Sequence, residues 1–337
     1  MSFDRRSQRI VIAGASSLLG NEVKTVLEES RFAGWDLRLV DEELVAGTLT
    51  EASGEAALIQ RLEEDTFHGA RFAFLTGSLD FAKSCTGAAR DAGATIIDLS
   101  SASLSDPDAV PWFPKIEALT GKTVRKDAKT FSVFSAAGAA VASLALALRG
   151  VGLKRLIGVV FQPVSEAGRA GIEELETQTS QLLSFQSVGE QVFGTQAAFN
   201  LLPRFGSESK QDLHSGLLRI RAEVSAAVGD AEEDAKIGLN LIHAPVFYGA
   251  TFSTCADLEG EPQVATLTEA CRNAGFVLVD AAEAAPSNVS VAGESGVFLR
   301  APEPDTAREG SWWFWGAADN LRLPASSAVK LAEKLEG

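Results

Sequence analysis

Two short stretches have the residue spacing that chemistry at a strand end requires. In GASSLLG, Gly14 and Gly20 stand six residues apart, after the apolar run Ile10 to Ala13 and before a helical face made by Val23, Val26 and Leu27. A glycine at the first position permits a tight turn, and one at the last permits close helix–sheet contact. Backbone N–H groups at the helix start can then meet a phosphate. Gly14, Ser16, Ser17, Leu18, Leu19 and Gly20 are therefore candidate contacts for NAD or NADP. Ser17 stands where a dinucleotide-binding turn normally has a further glycine against the pyrophosphate, so weak binding is expected. The second stretch, KTFSVFSAAGAAVASLALAL (129–148), reads as a strand, a turn of tiny residues and an apolar helix. Such turns present reactive side chains, yet this one offers little besides Ser135, for which the sequence shows no base.

Other residue types set limits. Asp41, Glu42 and Glu43 end the second strand. An acidic residue there suits the ribose hydroxyls of NAD and repels the additional phosphate of NADP. The three cysteines (Cys85, Cys255, Cys271) and three histidines (His68, His214, His243) are scattered, with no metal-ligand spacing and no disulfide framework. No metal is expected, and a reducing cytoplasm is the expected compartment. Lys plus Arg number 30 against 45 Asp plus Glu, for a net charge of −15, a field that disfavours nucleic acid and anionic membrane surfaces. The start, MSFDRRSQRIVIAGA, reads as a first strand rather than a signal peptide, and no apolar run approaches the ~20 residues of a membrane span.

The elements that position these residues follow from periodicity. Strands at RIVIAG, DLRLVDEE, ARFAFLTGS and ATIIDLSSAS alternate with helices, which predicts a parallel, doubly wound, Rossmann-type sheet. The loops Gly14–Gly20, Asp41–Gly47, Thr76–Asp80 and Ser100–Ser103 follow strand ends and should face the ligand crevice. Longer, more widely spaced strands at LKRLIGVVFQPVSEAG, GLNLIHAPVFYGATFSTCADLE and GSWWFWGAADN predict an α+β domain with a mixed sheet. The expected division is 1–128 with the terminal helix 318–337 as the nucleotide-binding domain, and 129–317 as a dimerisation and substrate-type domain. GIEELETQTSQLLSF is the helix expected to cover one face of the second sheet. GDAEEDAK (229–236) reads as a solvated loop.

Several segments together resemble the aspartate-semialdehyde dehydrogenases: GASSLLG, ATIIDLSSA followed by DPDAVPWFP, GRAGIEELETQT with AFNLLP, APVFYG, and WGAADNLR. The resemblance spans nearly the whole chain. It implies an NADP-dependent reaction in amino-acid biosynthesis: a cysteine thiolate attacks the aldehyde, hydride leaves to NADP, and phosphate releases the acyl group. It also implies a homodimer. Gln162 matches the substrate-binding glutamine, Arg219 stands near the phosphate-site lysine, and Ser165 and Asn320 join the cofactor contacts. Other positions depart from the pattern. The nucleophile falls on Ala139, the acid–base histidine on Ala250, the carboxylate-binding arginine on His243, and a phosphate-binding arginine on Leu104. The chain is similar to Usg-type paralogues, which also lack the cysteine. Two readings stay open. One is a catalytically degenerate homologue that keeps its fold, dimer and ligand cleft, with an active paralogue or another protein as partner. The other is a working NAD(P)-dependent oxidoreductase on a related aldehyde or acyl phosphate.

Overall fold

The computed structural model describes residues 8–52, 54–229, 236–280 and 282–337. The charged run at 229–236 lies almost entirely outside the described residues. Two compact units form. One comprises Met1–Phe113, Thr123–Phe134 and Pro324–Gly337, the other Pro114–Lys122 and Ser135–Leu323.

The first unit contains, in order, β1 (Arg9–Ala13), α1 (Leu18–Glu28), β2 (Asp36–Asp41), β3 (Leu49–Ala52), β4 (Glu55–Leu58), β5 (Gln60–Arg61), β6 (Ala70–Leu75), α2 (Leu79–Asp91), β7 (Thr95–Asp98) and β8 (Val110–Trp112). After α3 (Ile116–Thr120), which belongs to the second unit, comes β9 (Thr130–Val133). The sheet runs β5-β2-β1-β6-β7-β9-β8 with parallel pairing throughout, and β3 and β4 form a separate hairpin. Its central strands are buried on both faces, as crossover helices require: β1, β6 and β7 are fully buried for almost every residue. β9 lies inside the first sheet, between β7 and β8, although the sequence places 129 onward in the second domain. The hydrogen bonds of a strand, not its neighbour in sequence, decide its membership.

The turn after β1 is glycine by geometric necessity. Gly14 has φ +93°, and a Cβ there would lie 2.1 Å from Gly77 N; at Gly20 it would lie 2.2 Å from Gly14 O. The Trp112 Nε1–H donates to the Ser327 carbonyl, and Arg71 pairs with Glu336, so the terminal helix packs within this unit.

The second unit holds α4 (Ala136–Arg149), β10 (Leu153–Gln162), α5 (Gly168–Leu183), α6 (Leu213–Val228), β11 (Lys236–His243), β12 (Ala250–Leu258), α7 (Val264–Asn273), β13 (Val277–Val279), β14 (Val297–Arg300), β15 (Glu303–Pro304) and β16 (Ser311–Ala318). The helix α8 (Arg322–Glu336) begins here and continues into the first unit. The sheet is mixed, in the order β11-β10-β12-β16-β14-β13, with β15 beside β16. It is covered by α4 and α6, not by α5, which packs on the short helical turn Val164–Ala167. The reason lies in composition: α4 is apolar all round, with twelve of its residues buried, whereas α5 buries only Gly171, Glu174, Leu175 and Gln178. Strand alternation places Leu156 and Val160 under the helices. Ile157, Val159 and Phe161 occupy the opposite face, where they are half-buried, and Trp313 is 44% exposed.

Candidate functional site

The turn of tiny residues that opens α4 resolves into two kinds of position. Ser135 and Ala137 stay partly open, whereas Ala136, Gly138, Ala139 and Ala140 are buried. Ser135 is the N-cap: its Oγ accepts from Gly138 N at 3.1 Å. The same Oγ donates to Glu223 Oε2 at 2.6 Å, and Ser135 N donates to Glu223 Oε1 at 3.0 Å. A carboxylate partner for Ser135 thus exists on α6, eighty-eight residues away in sequence. Nothing in the sequence near Glu223 links it to Ser135. One signal was available: Glu223 lies four residues after Arg219, the spacing of a helical ion pair. Their Nε–Oε1 distance is 3.0 Å.

Around this pair lies a small, partly open cavity. Gln162, Glu166, Arg219 and Ser135 contribute its polar wall, and Val160, Ile220, Leu241 and Ala250 much of its apolar wall. Gln162, Arg219 and Ala250, separated by up to 88 residues in sequence, are therefore brought together by the fold. Glu166 lies on the cavity wall with its side chain open to solvent, close to Arg219, Asn320 and Glu223. Its pKa is raised by burial; the Arg219 charge and the Asn320 hydrogen bond oppose the shift and Glu223 adds to it.

The remaining candidates from the sequence lie as follows. Ala139 faces away from this cavity: it sits one turn into α4, 3% exposed, and donates its N–H to the Ser135 carbonyl. The side chains that face the cavity from the helix start are Ser135 and Ala137. His243 does not line the cavity either. Its ring is 1% exposed between Phe193 and Phe205, with Nε2 3.3 Å from the Ala197 carbonyl, and burial lowers its pKa. Ser165 and Asn320 are also buried and bond mainly to each other: Asn320 Nδ2 donates to Ser165 Oγ at 3.0 Å and to Glu166, and Asn320 Oδ1 accepts from Gly249 N at 2.9 Å.

In the first unit, the residues expected at a nucleotide are partly committed elsewhere. Ser17 caps α1 through Gly20 N and donates to the Thr76 carbonyl. Asp41, 6% exposed, accepts from Ser16 N at 2.7 Å, so a carboxylate already holds an amide of the turn. Glu42 accepts from Ser78 Oγ. Leu18 and Leu19, in the first turn of α1, supply the amides that helical pairing leaves over, so the backbone there fits a phosphate. Asp41, Glu42 and Glu43 line an open hollow with Glu63, Glu64 and Arg61, whose guanidinium pairs with Glu63 at 2.8 Å. The carboxylates suit ribose hydroxyls, and the arginine brings to the same wall a cation that the second strand's own sequence does not show.

None of the three cysteines reaches the Gln162 cavity. All are buried, and burial pushes the Cys85 thiol up to about 11, the Cys271 thiol up to about 12, and raises Cys255. No group of three or more metal-ligating side chains occurs among the described residues. No helix among them is long and apolar enough to cross a membrane.

Family models give the decisive comparison. Residues 9–124 match the NAD binding domain of semialdehyde dehydrogenase, and 144–323 match the semialdehyde dehydrogenase dimerisation domain. The chain belongs to the semialdehyde dehydrogenase family. It is 25% identical to an aspartate-semialdehyde dehydrogenase of Rickettsia bellii, over 98% of both chains. It is 29% identical to a USG-1 protein homolog of Azotobacter vinelandii, over 97% of both. The fold matches that of a probable aspartate-semialdehyde dehydrogenase from Pseudomonas aeruginosa with TM-score 0.85, at 24% identity over 97% of this chain and 98% of that one. A Candida albicans aspartate-semialdehyde dehydrogenase solved with NADP has TM-score 0.69 at 12% identity, over 97% of this chain and 98% of that one. The family fold thus surrounds a cavity that presents a serine, a glutamine, an arginine and a carboxylate, but no thiol.

His243 gives this unit a pH dependence. Its folded pKa lies below its ordinary value, so the unfolded chain takes up the proton first as pH falls. Stability should be level above about pH 7.5 and decline as pH drops through the ordinary histidine range near 6.5. Thermal unfolding from pH 8 to 5 in wild type and His243→Gln checks this. The decline should be shallower in the variant; equal slopes would place the titration elsewhere.

Proposed function

We propose that this chain is a semialdehyde dehydrogenase homologue that does not perform the thiol-dependent reaction and keeps the second-unit cavity as a binding site. One observation carries the reading: the cavity that gathers Gln162, Arg219 and Glu166 presents Ser135 hydrogen-bonded to Glu223, while every cysteine is buried with a raised pKa. A hydroxyl is a far poorer nucleophile and leaving group than a thiolate at neutral pH. With Ala250 in place of an imidazole, no histidine on the cavity wall could relay a proton. Arg219 and Glu166 on the cavity wall together suit a small ligand carrying both charges, such as an amino acid. Purified protein given aspartate semialdehyde, NADP and phosphate should show no turnover. A rate of about 1 per second or faster, within the ordinary enzyme range, would overturn the proposal.

A second reading has one specific observation behind it. Ser135 stands at a helix N-terminus within reach of a carboxylate, so a slower chemistry through an oxygen ester is open to the chain. Acylation of Ser135, seen as a mass increase of the intact protein after exposure to the aldehyde and nucleotide, would favour it over the first.

For the cofactor, the Asp41–Glu43 wall and the amide held by Asp41 support weak nucleotide binding with NAD preferred. Titration calorimetry with both nucleotides should give the larger Kd for NADP; the reverse order would contradict the role assigned to these carboxylates. Homodimerisation rests on the matched dimerisation domain and on the sheet face of Ile157, Val159, Phe161 and Trp313, apolar surface that soluble monomers rarely leave open. None of these side chains belongs to the cavity. Sedimentation at micromolar concentration should report about twice the 35.5 kDa chain mass. A monomer would remove this assignment.

A further inference from the structure

The wall of the Gln162 cavity is uneven, and the unevenness selects a ligand. One half is apolar: Val160, Leu241 and Ala250 come from the sheet and Ile220 from α6, all of them buried. Gly216, in the first turn of α6, keeps the space before them open. A Cβ there would lie 3.0 Å from Leu241 Cδ2 and 3.2 Å from Gln162 Oε1.

The other half carries charge, and its charges are not equally available. Arg219 is the sole basic side chain on the wall among the described residues, and it pairs with Glu223 at 3.0 Å. Glu223 is 1% exposed and takes both Ser135 donors, so it is committed to the fold. Glu166 differs. It lies on the wall, open to solvent, and accepts from an amide, Asn320 Nδ2, at 3.0 Å. Asn320 is buried and in turn accepts from Gly249 N at 2.9 Å, so the carboxylate has a fixed support. A carboxylate has several acceptor positions, and this one can still receive an ammonium through a charge-assisted hydrogen bond. One ligand carboxylate can lie toward Arg219 and the Gln162 amide. A second would meet no further cation on this wall and would face Glu166, which Coulomb repulsion disfavours.

We propose that the Gln162 cavity takes a small aliphatic α-amino acid and that Glu166 is its specificity-determining residue. The ammonium sits on Glu166, the carboxylate lies toward Arg219, and the hydrocarbon side chain packs against Ile220, Leu241 and Ala250. Acidic amino acids bind less tightly, and carboxylates without an ammonium less tightly still. This rests on the reading of the cavity as a binding site, and adds which residue selects and what it selects.

Titration calorimetry on the full chain at pH 8, above the ordinary carboxylate range, tests it with 2-aminobutyrate, aspartate and butyrate as probes. Wild type should bind 2-aminobutyrate about fivefold tighter than aspartate and about tenfold tighter than butyrate, as loss of a hydrogen bond to a charged group requires. Glu166→Gln, at an exposed side chain and with an acceptor kept for Asn320, should weaken 2-aminobutyrate about tenfold and leave it no tighter than aspartate. Glu43→Gln removes the same charge from the other unit and should change none of the three affinities. If wild type binds no probe at millimolar concentration, the cavity is not this binding site and both readings fall. If aspartate binds as tightly as 2-aminobutyrate, or Glu166→Gln keeps the wild-type ranking, the cavity stands as a binding site and the role of Glu166 is overturned. A shift in ranking by Glu43→Gln equal to that of Glu166→Gln would overturn it too, because net charge alone would then set the order.

Discussion

The second unit is organised around one buried carboxylate. Glu223 is 1% exposed, accepts from both the backbone N–H and the hydroxyl of Ser135, and pairs with Arg219 at 3.0 Å. These bonds fix the start of α4 against α6. Gly138 records how close the approach is, because a Cβ there would lie 1.9 Å from Glu223 Oε2. A negative charge near a helix N-terminus is favourable, and here it comes from inside the fold. Removing the Glu223 charge would leave Arg219 without this partner and the Ser135 hydroxyl without its acceptor, so the fold and the cavity wall depend on the same contact.

That contact also sets the chemistry. The side chain that caps the α4 N-terminus is a hydroxyl already bonded to a carboxylate. Gln162 at the end of β10, Arg219 on α6 and Glu166 in the turn before α5 then surround it with groups that bind rather than react. On the first unit the same principle recurs: Asp41 holds the Ser16 amide, so a turn shaped for phosphate carries a carboxylate of its own. In both places an internal carboxylate accepts a backbone amide at the turn that opens a helix.

Much of the architecture was legible in the sequence. The alternation from RIVIAG through ATIIDLSSAS gives the parallel sheet, and the positions of Gly14 and Gly20 are dictated by contacts too close for any side chain. The APVFYG and AFNLLP segments carry the family likeness, and the family models cover both halves. The site was less legible for two reasons. Glu223 is linked to Ser135 only through tertiary packing; the sequence shows its helical spacing from Arg219 but not this partner. Within SAAGAAVAS, runs of alanine give alignment no foothold; only burial separates Ser135 and Ala137, which stay partly open, from Ala139, which does not. His243 was misplaced because strand register sets its neighbours on β10, while the loop carrying Phe193 and Phe205, remote in sequence, decides where its ring goes.

The central claim is that position 135 faces the binding cavity and that no native thiol does. Alkylation kinetics under native conditions test it directly, because the three native cysteines are buried with raised pKa and give a quiet background. Ser135→Cys should add one fast-reacting thiol, slowed when aspartate occupies the cavity, with iodoacetamide consumption and peptide mapping as the readout. A native cysteine reacting as fast as the introduced one, or an unreactive thiol at position 135, would contradict the account.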